Sequence, residues 1–174
     1  KQIPEGSCAE YRLKVQLPDT FCGYTVTLQG RVDILHPSKD LLTSPILEEI
    51  KTTYVHPDRV PENQKQLQWA QLKLYAYAYG LQLAHEGQAI PETVELQAVW
   101  YNIKDKKIHR KMRLCDFSEI DCFARDVLKC YCDWQGQIQE HLQQTRDDAQ
   151  NLAFPFDHYR KGQREMAISV YRSL

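Results

Sequence analysis

Ile46-Leu47-Glu48-Glu49-Ile50-Lys51-Thr52-Thr53-Tyr54 is the stretch on which the fold turns. Its β-branched and aromatic residues favour extended chain, so it reads as a strand over residues 46–54. Alternation along a strand puts Glu49 and Lys51 on one face, with Ile46, Glu48 and Ile50 on the other. An acid and a base that share a strand face invite a search for partners on either side.

Toward the N-terminus, residues 10–17 alternate apolar Tyr11, Leu13, Val15 and Leu17 with Glu10, Arg12, Lys14 and Gln16, the period of a strand with one wet face. Pro18 and Asp19 are expected to end it. A second strand over residues 24–35 follows Phe21-Cys22-Gly23, which makes a hairpin of the two. Residues 36–45 read as a turn or loop leading to 46–54. If the three strands form a meander, Asp33 near the end of the second lies beside Glu49. Two close carboxylates repel unless a cation sits between them. Mg²⁺ suits the pair, since it takes oxygen ligands and is anchored by one or two protein carboxylates and phosphate oxygens. Such an ion lowers the pKa of a bound water and neutralises charge on a phosphate under in-line attack. Lys51 would stabilise the transition state or orient the attacking water, so the expected chemistry is phosphodiester hydrolysis. The plainer reading makes the three residues surface charges in weak ion pairs.

Toward the C-terminus, Pro57 and Pro61 precede a helix over residues 63–86 that ends at Gly87. It is apolar nearly all round, including Leu67, Trp69, Leu72, Leu74, Leu81 and Leu83, and is expected to be buried on more than one side. Strands over 93–103 and 108–114 flank an Asp105-Lys106-Lys107 turn. Ile120, Phe123, Val127, Tyr131, Trp134, Ile138 and Leu142 then mark one stripe of a long amphipathic helix over 118–150. A polar end leads to a tail that opens at Phe154-Pro155-Phe156.

Gly30-Arg31-Val32-Asp33, Glu49-Ile50-Lys51-Thr52-Thr53 and Gln71-Leu72-Lys73-Leu74-Tyr75 resemble, in order and spacing, the G-x-x-D strand, E-x-K strand and Q-x-x-x-Y helix of the RecB-like branch of the PD-(D/E)XK nuclease superfamily. The resemblance implies a restriction-endonuclease-like α/β fold, a mixed central sheet flanked by helices, over residues 1–150. It implies a deoxyribonuclease dependent on Mg²⁺ or Mn²⁺, with Asp33 and Glu49 as metal ligands and the Ile50 carbonyl as a third. Lys51 would be catalytic, and Gln71 and Tyr75 would contact DNA or organise the site. Spacing by four places Gln71 and Tyr75 in one polar notch of the helix. Family members have a helix before the first strand that carries a further acidic or His residue. Only nine residues precede the first strand here, so the first core helix is expected to be missing, and with it the activity of this fragment alone.

Phe154-Pro155-Phe156-Asp157-His158-Tyr159-Arg160-Lys161-Gly162-Gln163 resembles the opening of XPD/DinG-like superfamily 2 helicases, whose R-x-G-Q element reads adenine. That makes residues 151–174 a linker and the start of a motor domain, with Gln163 as nucleotide-binding residue of the longer protein. A phosphate-binding G-x-x-x-x-G-K-[ST] loop is absent, so ATP hydrolysis is not expected of this chain.

The composition is that of a soluble globular protein, 43% hydrophobic and 26% charged, without a secretory signal or an apolar run long enough to span a bilayer. A cytoplasmic location is the default. With a net charge of −1 no global basic field points to nucleic acid. The six Cys read as reduced thiols. Cys115, Cys122, Cys130 and Cys132 invite comparison with the iron–sulfur ligands of some RecB-like nucleases. Their spacing is wrong for it, Cys122 and Cys130 are expected to pack as small hydrophobes, and no cluster is expected. The expected partners are DNA, as ends or single strands, and the motor domain of the same polypeptide. Two alternatives stand beside the nuclease: an inactive nuclease-like module that binds DNA or docks the motor, and a plain interaction domain using the helix over 118–150.

Overall fold

The computed structural model describes residue 4 and residues 6–21, 23–38, 43–151 and 158–173. The chain divides into two compact units, residues 1–134 and 135–174. In the first, strands β1 (Cys8–Phe21), β2 (Tyr24–His36) and β3 (Ile46–Thr53) lead to helix α1 (Glu62–His85), strands β4 (Thr93–Asn102) and β5 (Ile108–Asp116), and the start of helix α2 (Phe117–Asn151). Among the described residues no helix precedes β1.

The strands lie in the order β1-β2-β3-β4-β5. β1, β2 and β3 are an antiparallel meander, β3 and β4 run parallel, and β4 and β5 form an antiparallel hairpin. A parallel pair needs a long crossover, which α1 supplies. The sheet is therefore mixed, with helices against it, and the fold is α/β of the restriction-endonuclease-like kind expected above.

Pro18 does not end β1. The strand continues to Phe21, and its pairing with β2 shifts register between Gln16 and Thr20. An irregularity of the ladder accommodates the N–H that proline lacks. The turn into β2 uses Gly23 at φ +81°, a left-handed conformation that favours glycine.

Leu47, Leu96 and Ala98 have no measurable exposure; Leu47 pairs with Leu96 across β3 and β4, and Glu49 with Ala98. Leu13 and Val32 join them, and Leu72, Ala76 and Tyr77 close over the cluster from α1. Five consecutive α1 residues, Ala76 to Gly80, are buried, which is burial on more than one side as the sequence suggested. Leu67 is the departure, 69% exposed at the first turns. α1 ends in a glycine cap: Gly87 has φ +74°, and the N–H groups of Gly87 and Gln88 donate to the carbonyls of Ala84 and Leu83.

The stripe expected on α2 is divided. Ile120, Ala124, Leu128 and Cys132 are buried, at intervals of four, whereas Val127, Tyr131, Trp134, Ile138 and Leu142 are exposed. Small Ala124 and Cys132 do the packing that the larger side chains were expected to do. Cys122 and Cys130 are likewise exposed, and it is Cys115 and Cys132 that are buried.

In the second unit, the end of α2 is followed by helix α3 (Gln163–Ser173), none of whose residues is buried. Residues 154–157 of the helicase-like tail lie outside the described residues. Among the described residues no helix is long and apolar enough to cross a membrane.

Candidate active site

β3 carries Glu49 and Lys51, β2 carries Asp33, and α1 brings Gln68, Gln71 and Tyr75 over them. The β2–β3 ladder runs through His36↔Ile46, Leu35↔Leu47 and Ile34↔Glu48, and stops one step short of Asp33 and Glu49. Where the next pair would be, Asp33 Oδ2 accepts the Ile50 N–H at 2.6 Å. The aspartate is thus pinned to the backbone between the two β3 residues that face α1.

Glu49 is the buried member, its side chain 5% exposed. Its Oε1 accepts from Lys51 Nζ at 2.5 Å. Its Oε2 is buried without a hydrogen-bond partner. Burial pushes the Glu49 pKa above the ordinary carboxylate range; the Lys51 hydrogen bond opposes the rise, and the negative charge of Asp33 adds to it. Lys51 is half-exposed, so its ammonium faces both Glu49 and solvent.

Two glutamines of α1 serve Glu49. Gln68, buried, donates to the Glu49 carbonyl at 2.9 Å and fixes the main chain under the carboxylate. Gln71 lies close enough to the Glu49 carboxylate to oppose the rise in its pKa, and its Nε2 donates to the Tyr75 hydroxyl at 2.7 Å. The Tyr75 ring in turn lies against Gly30 of β2. The structure therefore brings together Gly30, Asp33, Glu49, Ile50, Lys51, Gln71 and Tyr75. Gln163 belongs to the second unit, where its side-chain oxygen accepts the Arg160 N–H at 3.1 Å.

Gln68 was missed in the sequence. Its signal is an amide one turn before Gln71 in a helix too apolar to leave it unburied. Glu48, next to Glu49, takes no part: it pairs with His36 Nε2 at 2.9 Å, and His36 Nδ1 lies 2.6 Å from Ser7 Oγ. A cavity of about 310 Å³ adjoins Lys51, lined also by Thr53, Gln64, Gln68, Gln71 and Trp100.

The donor set fits a hard divalent cation. It offers carboxylate oxygens, one of them buried and unpartnered, in a site where a positive ion would relieve the repulsion between Asp33 and Glu49. Among the described residues no group of three or more His, Cys, Asp and Glu side chains could hold a metal ion. Two carboxylates suit an ion that keeps much of its water, as Mg²⁺ does.

The mixed sheet and its crossover helix thus bring an acid-acid-lysine cluster together on adjacent strands. Residues 3–164 match the sequence profile of the PD-(D/E)XK nuclease superfamily, and the chain belongs to that superfamily. Among solved structures, the crystal structure of SSO0001 is similar at a TM-score of 0.41 and 18% identity, over 70% of this chain and 49% of that one. The chain spans about half the length of that protein. No curated protein matches it.

Proposed function

We propose that residues 1–150 are a metal-dependent deoxyribonuclease module of the RecB-like branch, working as part of a helicase-nuclease. The observation that carries this reading is the buried, unpartnered Glu49 Oε2 beside Asp33 and Lys51. Asp33 and Glu49, with the Ile50 carbonyl, would hold Mg²⁺ or Mn²⁺. The bound ion supplies an acidified water and neutralises charge on the scissile phosphate. The Ile50 N–H orients Asp33, so that one carboxylate oxygen is committed to the backbone and the other is left for ligation. Lys51, hydrogen-bonded to Glu49, donates toward the phosphate oxygens from its exposed side. Gln71, steadied by Tyr75, orients Glu49 and together with Tyr75 and Lys51 meets the DNA. On the resemblance of the tail, we assign residues 151–174 to a linker and the start of a helicase motor, with Gln163 as its adenine reader.

The test is incubation of labelled single-stranded and duplex DNA with Mg²⁺ or Mn²⁺, using the longest chain that includes these residues, beside Asp33→Ala and Lys51→Ala. Cleavage that needs the metal and vanishes in both variants is expected. DNA binding without cleavage would replace the nuclease by an inactive clamp or docking module.

A further inference from the structure

Lys104-Asp105-Lys106-Lys107-Ile108-His109-Arg110-Lys111-Met112-Arg113 holds six Lys and Arg and one acid, in a chain whose net charge is −1. The overall balance conceals it. These residues form the turn between β4 and β5 and most of β5, the strand at the end of the sheet. The single acid is used locally: Asp105 Oδ1 accepts the Lys107 N–H at 3.0 Å and shapes a turn in which Lys106 has φ +57°.

Lys104, Lys106, Lys107 and Arg110 are exposed, and among the described residues none of them has a carboxylate within ion-pair distance. Lys111 makes only a 3.8 Å contact with Asp58, and Arg113 covers the Trp69 ring at 4.1 Å. Charged edge strands discourage unwanted strand pairing. That role does not require one sign of charge, and it does not require the charge to continue onto a turn beyond the ladder.

Position gives the cluster a purpose. Lys51 is in register with Trp100, and Trp100 with His109, so the basic strand lies two strand spacings, roughly 10 Å, from the catalytic lysine. The base of the turn is held to β3 by the Ile103 N–H on the Thr53 carbonyl at 2.9 Å. The cavity beside Lys51 has Thr53 and Trp100 in its wall, on the side toward the hairpin.

We propose that the β4–β5 hairpin is a phosphate-binding track, which holds the backbone of the nucleic acid strand whose scissile phosphate lies at Lys51. The assignment rests on the nuclease reading of Asp33, Glu49 and Lys51. It adds a binding surface for the flanking phosphates and explains how an acidic chain grips a polyanion.

The experiment measures binding of the full chain to a fluorescent single strand and the matching duplex in EDTA, across a NaCl series. The variants are Lys104→Gln/Lys106→Gln/Lys107→Gln, and Lys14→Gln/Lys129→Gln/Lys161→Gln as a control of equal charge loss elsewhere. The turn variant is expected to weaken binding at least about tenfold at low salt. Its plot of log affinity against log salt should be shallower by about 2 for a single strand, or nearer 3 for a duplex, following roughly 0.7 or 0.9 per lost phosphate contact. The arm with the larger effect identifies the form of nucleic acid. Equal loss in the control, no loss in the turn variant, or no binding by the parent chain overturns the track. Cleavage assays of Asp33→Ala separate the two readings: a track that survives while that variant still cuts leaves binding and sinks the assigned site.

Discussion

The ring of Tyr75 fills the space over Gly30, where an added β-carbon would fall 2.5 Å from Tyr75 Cε1. Side chains do not approach that closely, so Gly30→Ala must displace the ring, and with it the hydroxyl that meets Gln71. A cost of about 1–3 kcal/mol is expected from the overpacking. Urea unfolding of Gly30→Ala, alone and with Tyr75→Ala, measures it: the cost of the alanine should shrink once the ring is gone. An equal cost in both backgrounds would mean that the contact is not the constraint.

The raised pKa of Glu49 carries a sign. A carboxyl that holds its proton longer in the folded chain than in the unfolded one makes folding stability fall as pH rises, from the ordinary carboxylate range up to the raised value. Glu49→Gln should flatten that stretch of the stability profile and be at least as stable as the parent at neutral pH, while losing cleavage. Metal-dependent cleavage by the parent should decline on acidification at a pH above that of an ordinary carboxylate. A stability profile unchanged by Glu49→Gln between about pH 4 and about pH 8 would refute the shift.

Gln68 is a positioning residue for Glu49. Gln68→Leu keeps the volume and removes the donor to a buried carbonyl, with an expected loss of about 1–3 kcal/mol. Cleavage should fall further than DNA affinity, since the carboxylate moves while the binding surface stays. A drop in affinity alone would place Gln68 in contact with DNA instead.

Gly80 lies under the Phe117 ring, and an added methyl group there would collide with it. Gly80→Ala should cost about 1–3 kcal/mol, and Phe117→Leu should recover part of that by vacating the space. Thermal melts of the two single variants and the double variant decide the matter; simple additivity would show the residues to be independent.

What the sequence made legible was mostly periodic. Alternation in β3 put Glu49 and Lys51 on one face and Ile50 on the other, and the all-round apolar pattern of α1 announced its burial. Asp33 could be placed because a meander of consecutive strands leaves few choices. Features set by partners distant in sequence were less legible. Pro18 marks a strand end only if the ladder cannot shift, and here it shifts. Along α2 the larger apolar residues look like the core, yet Ala124 and Leu128 face it, because packing selects for fit as well as size. Gln68 looked like any polar helix residue until the Glu49 carbonyl was found beneath it. The basic hairpin was masked by acids elsewhere in the chain, since a net charge sums over a surface that a ligand meets only locally.

Two glutamates stand side by side on β3 and have opposite addresses: Glu48 goes to His36, Glu49 to Lys51. Moving a strand by one step exchanges its faces. In that frame Glu48 would turn toward α1, with Ile46 and Ile50 instead of Lys51 two residues away on its face. The His36–Glu48 contact and the Glu49–Lys51 contact therefore belong to one alignment of β3, which two neighbouring glutamates mark from opposite faces of the strand.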